Sequence, residues 1–248
     1  YGNERLRTVE NLCWEEAGTF PLVVTPSPPA HPPPTPPEPG VFTTKAALKE
    51  QVDHFPASES THGSISGWDV SRVDDLSSVF LSKTTFNEPL NWDTSQVTTM
   101  EDTFIYAASF NQPLVWDTSK VATMYRTLHH ADAFNSELAW DTSSVTNMAW
   151  TFRLAQLFNR PLAWDTSKVT NMVWMFNGAV NPGSNSATAF NQPGISAWDV
   201  SKVLLNSCWS GSAYDGTCMS QMFDGTALES DDCSKHVMHE AWKDVAAF

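Results

Sequence analysis

Three groups of residues have types and spacings that could support chemistry, and the first lies near the C-terminus. Cys233, His236 and His239 are spaced three apart, so they could face one way on a helix and bind zinc. The stretch from His236 to Glu240 has neither the order nor the spacing of a zinc-protease motif. An oxidised Cys233 would not be a ligand, and we expect a disulfide here rather than a metal site.

The other two groups lie in the middle of the chain. His129-His130 could supply a general base, but no nucleophile motif and no glycine-rich phosphate loop accompanies the pair.

Aspartates that each follow a tryptophan could bind Ca²⁺ through their carboxylates. The favoured interpretation is that each aspartate accepts backbone N–H bonds from the following turn. From the three groups together we expect no catalysis, no metal and no cofactor. These aspartates are Asp69, Asp93, Asp117, Asp141, Asp165 and Asp199.

Four cysteines occur only in the two flanks of the chain and are candidates for disulfides. Cys233 could pair with Cys218 or Cys208, and closing a loop of about 15 residues contributes roughly 3 kcal/mol. Cys13 could pair with the remaining cysteine and tie the N-terminal segment to the C-terminal end. The spacing leaves the pairing open.

Composition and charge describe a folded chain with an acidic surface. Apolar residues make up 41% and charged residues 17% of the 248 residues, which is typical of globular rather than disordered proteins. The formal net charge is −14 and no basic stripe is present, so nucleic acid is not an expected partner. No apolar run approaches the roughly 20 residues needed to span a bilayer, so we expect no direct membrane insertion of this chain.

A 24-residue period organises the middle of the chain. Trp-Asp pairs recur at intervals of 24 residues, and the last follows after 34 because of an insertion, roughly VNPGSNSAT. A blade of a WD40 propeller needs about 40–45 residues, so the pairs do not indicate a propeller. The tryptophans are Trp68, Trp92, Trp116, Trp140, Trp164 and Trp198.

Each repeat carries apolar residues that it cannot bury alone, so neighbouring repeats must stack. Phe-Asn-x-Pro-Leu is predicted to form a short strand, Asp-Thr-Ser a turn, and Val-x-x-Met-x-x-x-Phe a short helix or 3-10 turn. The asparagine after each phenylalanine predicts a ladder in which buried amides bond to neighbouring backbone groups. Its members are Asn87, Asn111, Asn135, Asn159 and Asn191.

The chain is predicted to contain four segments. The first is an N-terminal arm, in which residues 21–39 hold 10 of the 16 prolines and favour an extended polyproline conformation. The second is a cap whose helix begins at Thr43 or Thr44, the third holds the repeats, and the fourth is a cysteine-containing C-terminal cap with a helix. Their ranges are 1–41, 42–67, 68–205 and 206–248.

The phrases FNQPLVWDTSKVATM and FNRPLAWDTSKVTNMVWMF resemble the BspA-like family, a leucine-rich-repeat relative abundant in bacterial surface proteins, marine microalgae and other protists. The resemblance covers about residues 42–248. It implies an α/β, leucine-rich-repeat-like solenoid of about five to six rungs, with short parallel strands, helical caps at both ends and a role in adhesion or protein–protein contact. Glu137, where other repeats have proline, and the insertion before Phe190 depart from the pattern.

Two columns just after the repeated methionine are not needed for the core. Their aromatic and apolar side chains could form one exposed patch, which would mark an interface. The alternative is that the tryptophans fold back over the edge of the stack or onto the N-terminal arm. The candidate interface consists of Tyr106, Tyr125, Trp150, Leu154 and Trp174.

These observations favour a non-enzymatic module that binds protein partners and is secreted or displayed at the cell surface. The alternative is an accessory structural subunit of a larger, membrane-associated complex, held by its proline-rich arm in an organelle lumen such as an algal chloroplast or thylakoid. A calcium- or glycan-binding module is a minor third hypothesis. The lack of any Asn-x-Ser/Thr glycosylation site leans toward an organelle.

Overall fold

A computed structural model describes residues 40–178, 188–203, 222–223, 226–227 and 240–242. The chain divides into two units after Pro36, and all of the described residues belong to the second unit, Pro37–Phe248. The proline-rich segment, the four cysteines and the candidate zinc ligands lie outside the described residues. What the sequence predicts for them therefore stays a prediction.

The N-terminal end of the described part is a helix that buries one face. Helix α1 (Lys45–Asp53) follows Thr44, whose hydroxyl accepts a hydrogen bond from the Ala47 backbone N–H at 3.3 Å. This bond satisfies one of the donors that a helix N-terminus leaves unpaired. Leu48 and Val52 are fully buried and belong to the main hydrophobic core, so α1 covers the core with its apolar face.

A second short helix and a turn connect α1 to the first Trp-Asp pair. They are α2 (Glu59–His62) and a 3-10 turn (Ile65–Gly67). The entry to the fold also needs a glycine, because Gly40 has a φ of +82° and a Cβ there would lie 2.7 Å from the His62 carbonyl oxygen. The Gly40 carbonyl accepts a bond from the Asp69 N–H at 2.7 Å.

Neighbouring repeats are joined by parallel β-bridges at equivalent positions. Within the described residues each bridge is a single residue pair, and no extended strand forms. The bridges therefore mark the register of 24 residues rather than a continuous sheet. The main series runs through Asp75, Thr99, Thr123, Asn147 and Asn171, and further bridges join Val41 to Asp69 and Thr188 to Thr226.

The segment around each repeated methionine is a run of turns. The predicted α-helix is therefore wrong, whereas bonds to the third preceding residue, such as Thr127 N–H to the Met124 carbonyl at 3.1 Å, agree with the 3-10 turn predicted as its alternative. The N–H of Ser78 donates to the Glu101 carbonyl of the next repeat at 2.9 Å, whereas the N–H of Val79 donates to the Leu76 carbonyl of its own repeat at 3.2 Å. The same alternation recurs in the following repeats. Because every second N–H leaves its own repeat, the bonds to the fourth preceding residue that define an α-helix cannot form.

The strand predicted over Phe-Asn-x-Pro-Leu is also wrong. These segments carry no β-bridge, and a proline in most of them has no N–H to give to a ladder. Side chains make the connection between repeats here instead, through the asparagines and the residues that follow them. The repeat thus uses backbone pairing on one segment and side-chain pairing on another.

Aromatic rings from equivalent positions stack through the core. In the phenylalanine column that precedes the asparagines, neighbouring ring centroids lie 5.9 to 6.2 Å apart. A second phenylalanine column packs on the first, with Phe104 and Phe110 centroids 4.3 Å apart. Such stacking adds geometric preference to a large burial of apolar area, so it favours alignment of equivalent residues. The first column is Phe86, Phe110, Phe134, Phe158 and Phe190.

The tryptophan column uses both its rings and its indole N–H groups. The Trp92 and Trp116 rings are 6.1 Å apart and nearly parallel. From Trp92 onward each indole N–H of this column donates to a carbonyl 26 to 36 residues earlier in the chain, for example Trp116 to Leu90 at 3.2 Å. That of Trp68 donates to the nearby Gly63 carbonyl at 2.9 Å. At the other end, residues 240–242 are helical and Trp242, only 2% exposed, donates to the Trp198 carbonyl at 3.2 Å. Buried tryptophans therefore keep their one polar group bonded along the stack.

Candidate partner-binding surface

The aspartates of the Trp-Asp pairs serve the turns that follow them, as predicted. In each pair a carboxylate oxygen accepts a bond from the serine N–H two residues on, at 2.9 to 3.0 Å. These serine hydrogen bonds lower the aspartate pKa values below the usual range. Within the described part of the chain, no group of three or more His, Cys, Asp or Glu side chains could hold a metal ion.

The asparagine column forms bonds from repeat to repeat. The Asn111 N–H donates to the Asn87 side-chain oxygen at 2.8 Å, and the later asparagines repeat this contact at 2.8 to 3.0 Å. The prediction that these amides are buried is wrong, since Asn87 and Asn111 are exposed and the other ladder asparagines are half-buried. The contact lies at the surface because the phenylalanines beside it fill the interior.

Buried threonines make a further ladder that the sequence analysis missed. The Thr127 hydroxyl donates to the carbonyls of Met124 and Met100, both at 2.9 Å, and so joins its own repeat to the preceding one. Thr103 and Thr151 make equivalent pairs of contacts. Their identity three residues after each methionine was the signal that could have revealed them.

The turns that follow the methionines place ordinary residues in the left-handed region of φ. Non-glycine residues there cost roughly 1–2 kcal/mol each, and asparagine, aspartate and glycine are the usual occupants. Large side chains occupy several of these positions instead. The residues with positive φ are Ser78, Ser82, Asp102, Tyr106, Arg126, His130, Trp150, Leu154 and Trp174.

The five residues of the predicted interface are not equally accessible. Tyr106 is 44% exposed, and Tyr125, Trp150 and Trp174 are half-buried. Leu154 is only 3% exposed, so its assignment to an exposed patch is wrong. Its aliphatic side chain lies inside the fold, while the aromatic members keep part of their rings at the surface.

Two arginines lie among these aromatic rings. The guanidinium of Arg126 is 4.6 Å from the Tyr125 ring centroid. That of Arg153 is 4.7 Å from the Trp150 ring and 5.0 Å from the Trp174 ring. Cation–π contacts of this kind contribute about 0.5–2 kcal/mol each. The interface predicted from the sequence did not include the arginines, although each is next to or three residues from an aromatic of the same turn.

We call this set the aromatic–arginine surface. Its two tryptophans, Trp150 and Trp174, stack with centroids 4.9 Å apart, and a small cluster formed by Ala149 and Val173 packs against them. The members are Tyr106, Tyr125, Arg126, Trp150, Arg153 and Trp174.

One ion pair fixes the edge of the aromatic–arginine surface. Arg126 binds Asp102 of the preceding repeat through two contacts, 2.7 Å from Nε to Oδ1 and 2.8 Å from the terminal nitrogen to Oδ2. Only the terminal nitrogen makes a hydrogen bond, to Oδ2, and the close Nε to Oδ1 approach is an ion-pair contact. The pair keeps the Arg126 guanidinium beside Asp102, where it also lies over the Tyr125 ring.

His129 packs beneath the aromatic–arginine surface and is electrically neutral at pH 7. Burial lowers its pKa to about 4, although a bond from its Nδ1 to the Arg153 carbonyl at 2.8 Å acts in the opposite direction. Its ring contacts Tyr106 and Trp150 at centroid distances of 5.5 and 5.6 Å. His130 lies beside Tyr106 at 4.9 Å. The histidine pair therefore packs with aromatic rings.

Equivalent residues contact one another at a fixed period throughout these columns, which defines the chain as a tandem-repeat protein. The family described as "Mycoplasma protein of unknown function, DUF285" matches residues 49–139, 138–207 and 184–243. These segments span most of the chain, and the protein belongs to this family. Membership agrees with the resemblance to BspA-like repeat proteins.

The other comparisons give no further relative. No curated protein and no solved structure matched the sequence. Among the described residues, none of the helices has both the length and the apolar character that crossing a bilayer demands.

Proposed function

We propose that this protein is a non-enzymatic scaffold that binds a protein partner through the aromatic–arginine surface. In this proposal the stacked repeats form a BspA-like, leucine-rich-repeat-type α/β solenoid of about five to six rungs, secreted or displayed at the cell surface. The observation that carries the proposal is the gathering of Tyr, Trp and Arg side chains from successive turns on one face.

The composition of this face matches what partner binding needs. Tryptophan, tyrosine and arginine dominate the residues that contribute most energy at protein interfaces. The Trp150 and Trp174 rings are held by their mutual stacking and by Arg153, so little rotamer entropy remains to be lost on binding.

Backbone conformation gives a second argument. Trp150 and Trp174 have φ values of 61° and 54°, where asparagine or glycine would be accommodated more easily. The backbone of a tryptophan at such a position is strained and costs free energy. Its side chain must therefore stabilise the fold or the complex with a partner enough to offset that cost. Packing over Ala149 and Val173 supplies part of that contribution, and the half-exposed ring edges are available to a partner.

The test combines native purification with surface variants. The protein is isolated from its source cells under mild detergent, and components bound at stoichiometric ratio are identified by mass spectrometry. Purified partner is then titrated against wild-type protein and the variant Trp150→Asn/Trp174→Asn, in which asparagine keeps the backbone conformation. We expect affinity to fall at least tenfold, the loss of about 1.4 kcal/mol that one interface residue of this type commonly contributes.

One control and one further variant make the result specific. Val115→Asn changes a side chain that is 92% exposed and lies outside the surface, and it should bind as wild type does. Tyr106→Asn is a further test variant for the case in which the double variant unfolds. It changes a ring of the surface that is 44% exposed and also contacts His129 and His130, and it should weaken binding. Recovery of a lone protein, or a partner that tolerates both the double tryptophan variant and Tyr106→Asn, would refute the proposal. A partner that is lost only when residues 1–41 are removed would favour the accessory-subunit alternative.

A further inference from the structure

A separate site lies in the one repeat where the two residues after the ladder asparagine, Ser136 and Glu137, differ from those of the neighbouring repeats. From the second ladder asparagine onward, the residue after it donates to the carbonyl of the preceding asparagine, as Gln112 does at 2.9 Å and Arg160 at 2.7 Å. In the repeat between them this residue is Ser136, whose short side chain still makes the bond at 3.1 Å. The next position is proline at 89, 113, 161 and 193 but is Glu137 here.

The result is a groove of about 520 Å³ beside Ser136, which we call the Ser136 groove. A serine fills much less space than the glutamine or arginine of neighbouring repeats, so the missing volume opens at this repeat. Glu137 and Arg160 line the groove together with Pro113, Val115 and Ala139. The site follows from a local change of sequence on an otherwise regular edge.

We propose that the Ser136 groove binds a neutral glycan. It combines one carboxylate, from Glu137, with one guanidinium, from Arg160, so the two formal charges cancel. The Nε of Arg160 is used by the Asn135 carbonyl, and its terminal nitrogens remain chemically able to donate to hydroxyl oxygens. A sugar ring offers hydroxyl groups that both donate to carboxylates and accept from guanidinium groups.

The apolar wall fits the same class of ligand. Val115 is 92% exposed, and Pro113 and Ala139 extend the apolar surface beside it. Sugar rings present C–H faces that pack on such surfaces, while their edges take the polar contacts. Binding sites for small molecules combine these two features, an apolar lining and a few polar groups that orient the ligand.

Charge disfavours the main competing ligands. Glu137 lines the groove, and the chain carries a net charge of −14, so phosphate, sulfate and nucleic acid would be repelled. The Ser136 groove also uses a different segment of the repeat from the aromatic–arginine surface. Glycan binding is therefore independent of the proposed protein partner.

The test measures binding of the full chain to defined neutral oligosaccharides by saturation-transfer NMR and calorimetry. The probes are maltohexaose, laminarihexaose, cellohexaose, mannohexaose and chitohexaose, with a sulfated heparin hexasaccharide as the charged comparison. We expect at least one neutral probe to bind. The variant Ser136→Gln/Glu137→Pro restores the residues of other repeats, fills the groove and should lower affinity at least tenfold.

Matched variants separate groove effects from folding effects. Glu88→Gln removes an exposed carboxylate from the column of Ser136, two repeats away from the groove, and should bind as wild type does. If the double variant unfolds, Arg160→Gln retains a donor for the Asn135 carbonyl and removes the guanidinium, and it should also bind at least tenfold more weakly. The proposal fails if no neutral probe binds, if only the sulfated probe binds, or if the groove variants that fold keep wild-type affinity.

Discussion

At the scale of single residues, backbone conformation and side-chain size conflict in the turns after each methionine. Arg126 and Trp150 have φ values of 53° and 61°, a region in which L-residues are strained. Equivalent turns in other repeats have the same conformation with serine or aspartate, as at Ser78 and Asp102. The backbone strain is therefore a property of every repeat, whatever its side chain. Large side chains occupy the strained position only in the repeats that form the aromatic–arginine surface.

His129 gives a residue-scale prediction about pH. Burial lowers its pKa to about 4 from the ordinary 6.5, and Tyr106, Trp150, His130, Arg126 and Arg153 surround it. The unfolded chain takes up a proton at higher pH than the folded one, so stability is unaffected above about pH 6.5 and falls toward pH 4. The expected loss between pH 7 and pH 4 is about 3 kcal/mol.

Urea unfolding of wild type and His129→Gln at several pH values measures this loss. Glutamine cannot titrate and keeps a donor for the Arg153 carbonyl, so the difference between the two proteins should shrink as pH falls. Protonation of the aspartates affects both proteins equally and cancels. Parallel pH profiles would contradict the assigned role of His129.

At the scale of elements, the Phe-Asn segments show how side chains replace a backbone ladder. The Asn135 side chain accepts from the Asn159 N–H at 3.0 Å, while the Asn135 N–H donates to Asn111 at 2.8 Å. Each asparagine thus satisfies one backbone donor of its neighbour. Four of the five asparagines are followed two residues later by a proline, which disfavours a conventional strand. The segment after Asn135 has Glu137 there and also carries no β-bridge, so the ladder links the repeats on this edge with or without the proline.

The variant Asn135→Ala tests this element. We expect a loss of about 1 kcal/mol in the free energy of unfolding, because one backbone donor loses its partner at a partly exposed site. Hydrogen exchange should quicken at the Asn159 amide but not at the Asn111 amide, whose acceptor is Asn87. Asn91→Ala, at an exposed asparagine outside the ladder, is the control. Unchanged exchange at Asn159 would show that the ladder bond contributes nothing in solution.

At the scale of the whole molecule, stability comes from contacts between adjacent repeats. Bridges, phenylalanine stacks, asparagine bonds and threonine bonds all connect positions 24 residues apart or close to it. In such a stack each unit depends on its neighbours, and the total stability is approximately a sum of unit and interface contributions. The length of the chain can then change by whole repeats without changing the contacts within the rest.

Deletion of residues 88–111 tests this expectation. The junction joins Asn87 to Gln112 and restores the Phe-Asn-Gln-Pro-Leu motif, so we expect a folded protein with the same circular dichroism per residue and a lower unfolding enthalpy. Deletion of residues 88–99 removes half a repeat and should prevent unfolding in one cooperative transition, because the repeats on the two sides of the junction lose their register with each other. Equal behaviour of the two deletions would argue against stacking by repeats.

The sequence by itself determined the period, the columns and their register, because a regular spacing of Phe, Asn, Trp, Asp and Met is visible without coordinates. It also predicted the aspartate contacts and the helix after Thr44, both of which depend on residues close together in the chain. Local signals of this kind are readable because capping and turn bonds involve few residues.

Only the tertiary structure decided how each segment pairs across repeats. The segment after each repeated valine has the apolar spacing of a helix but forms turns. Alternate N–H groups in it bond to the next repeat, as those of Ser78 and Asp102 do. The burial of Leu154 and the arginine contacts with aromatic rings also depend on neighbouring repeats. These features are absent from a single repeat, since they arise from backbone partners and packing contacts that stacking alone brings together.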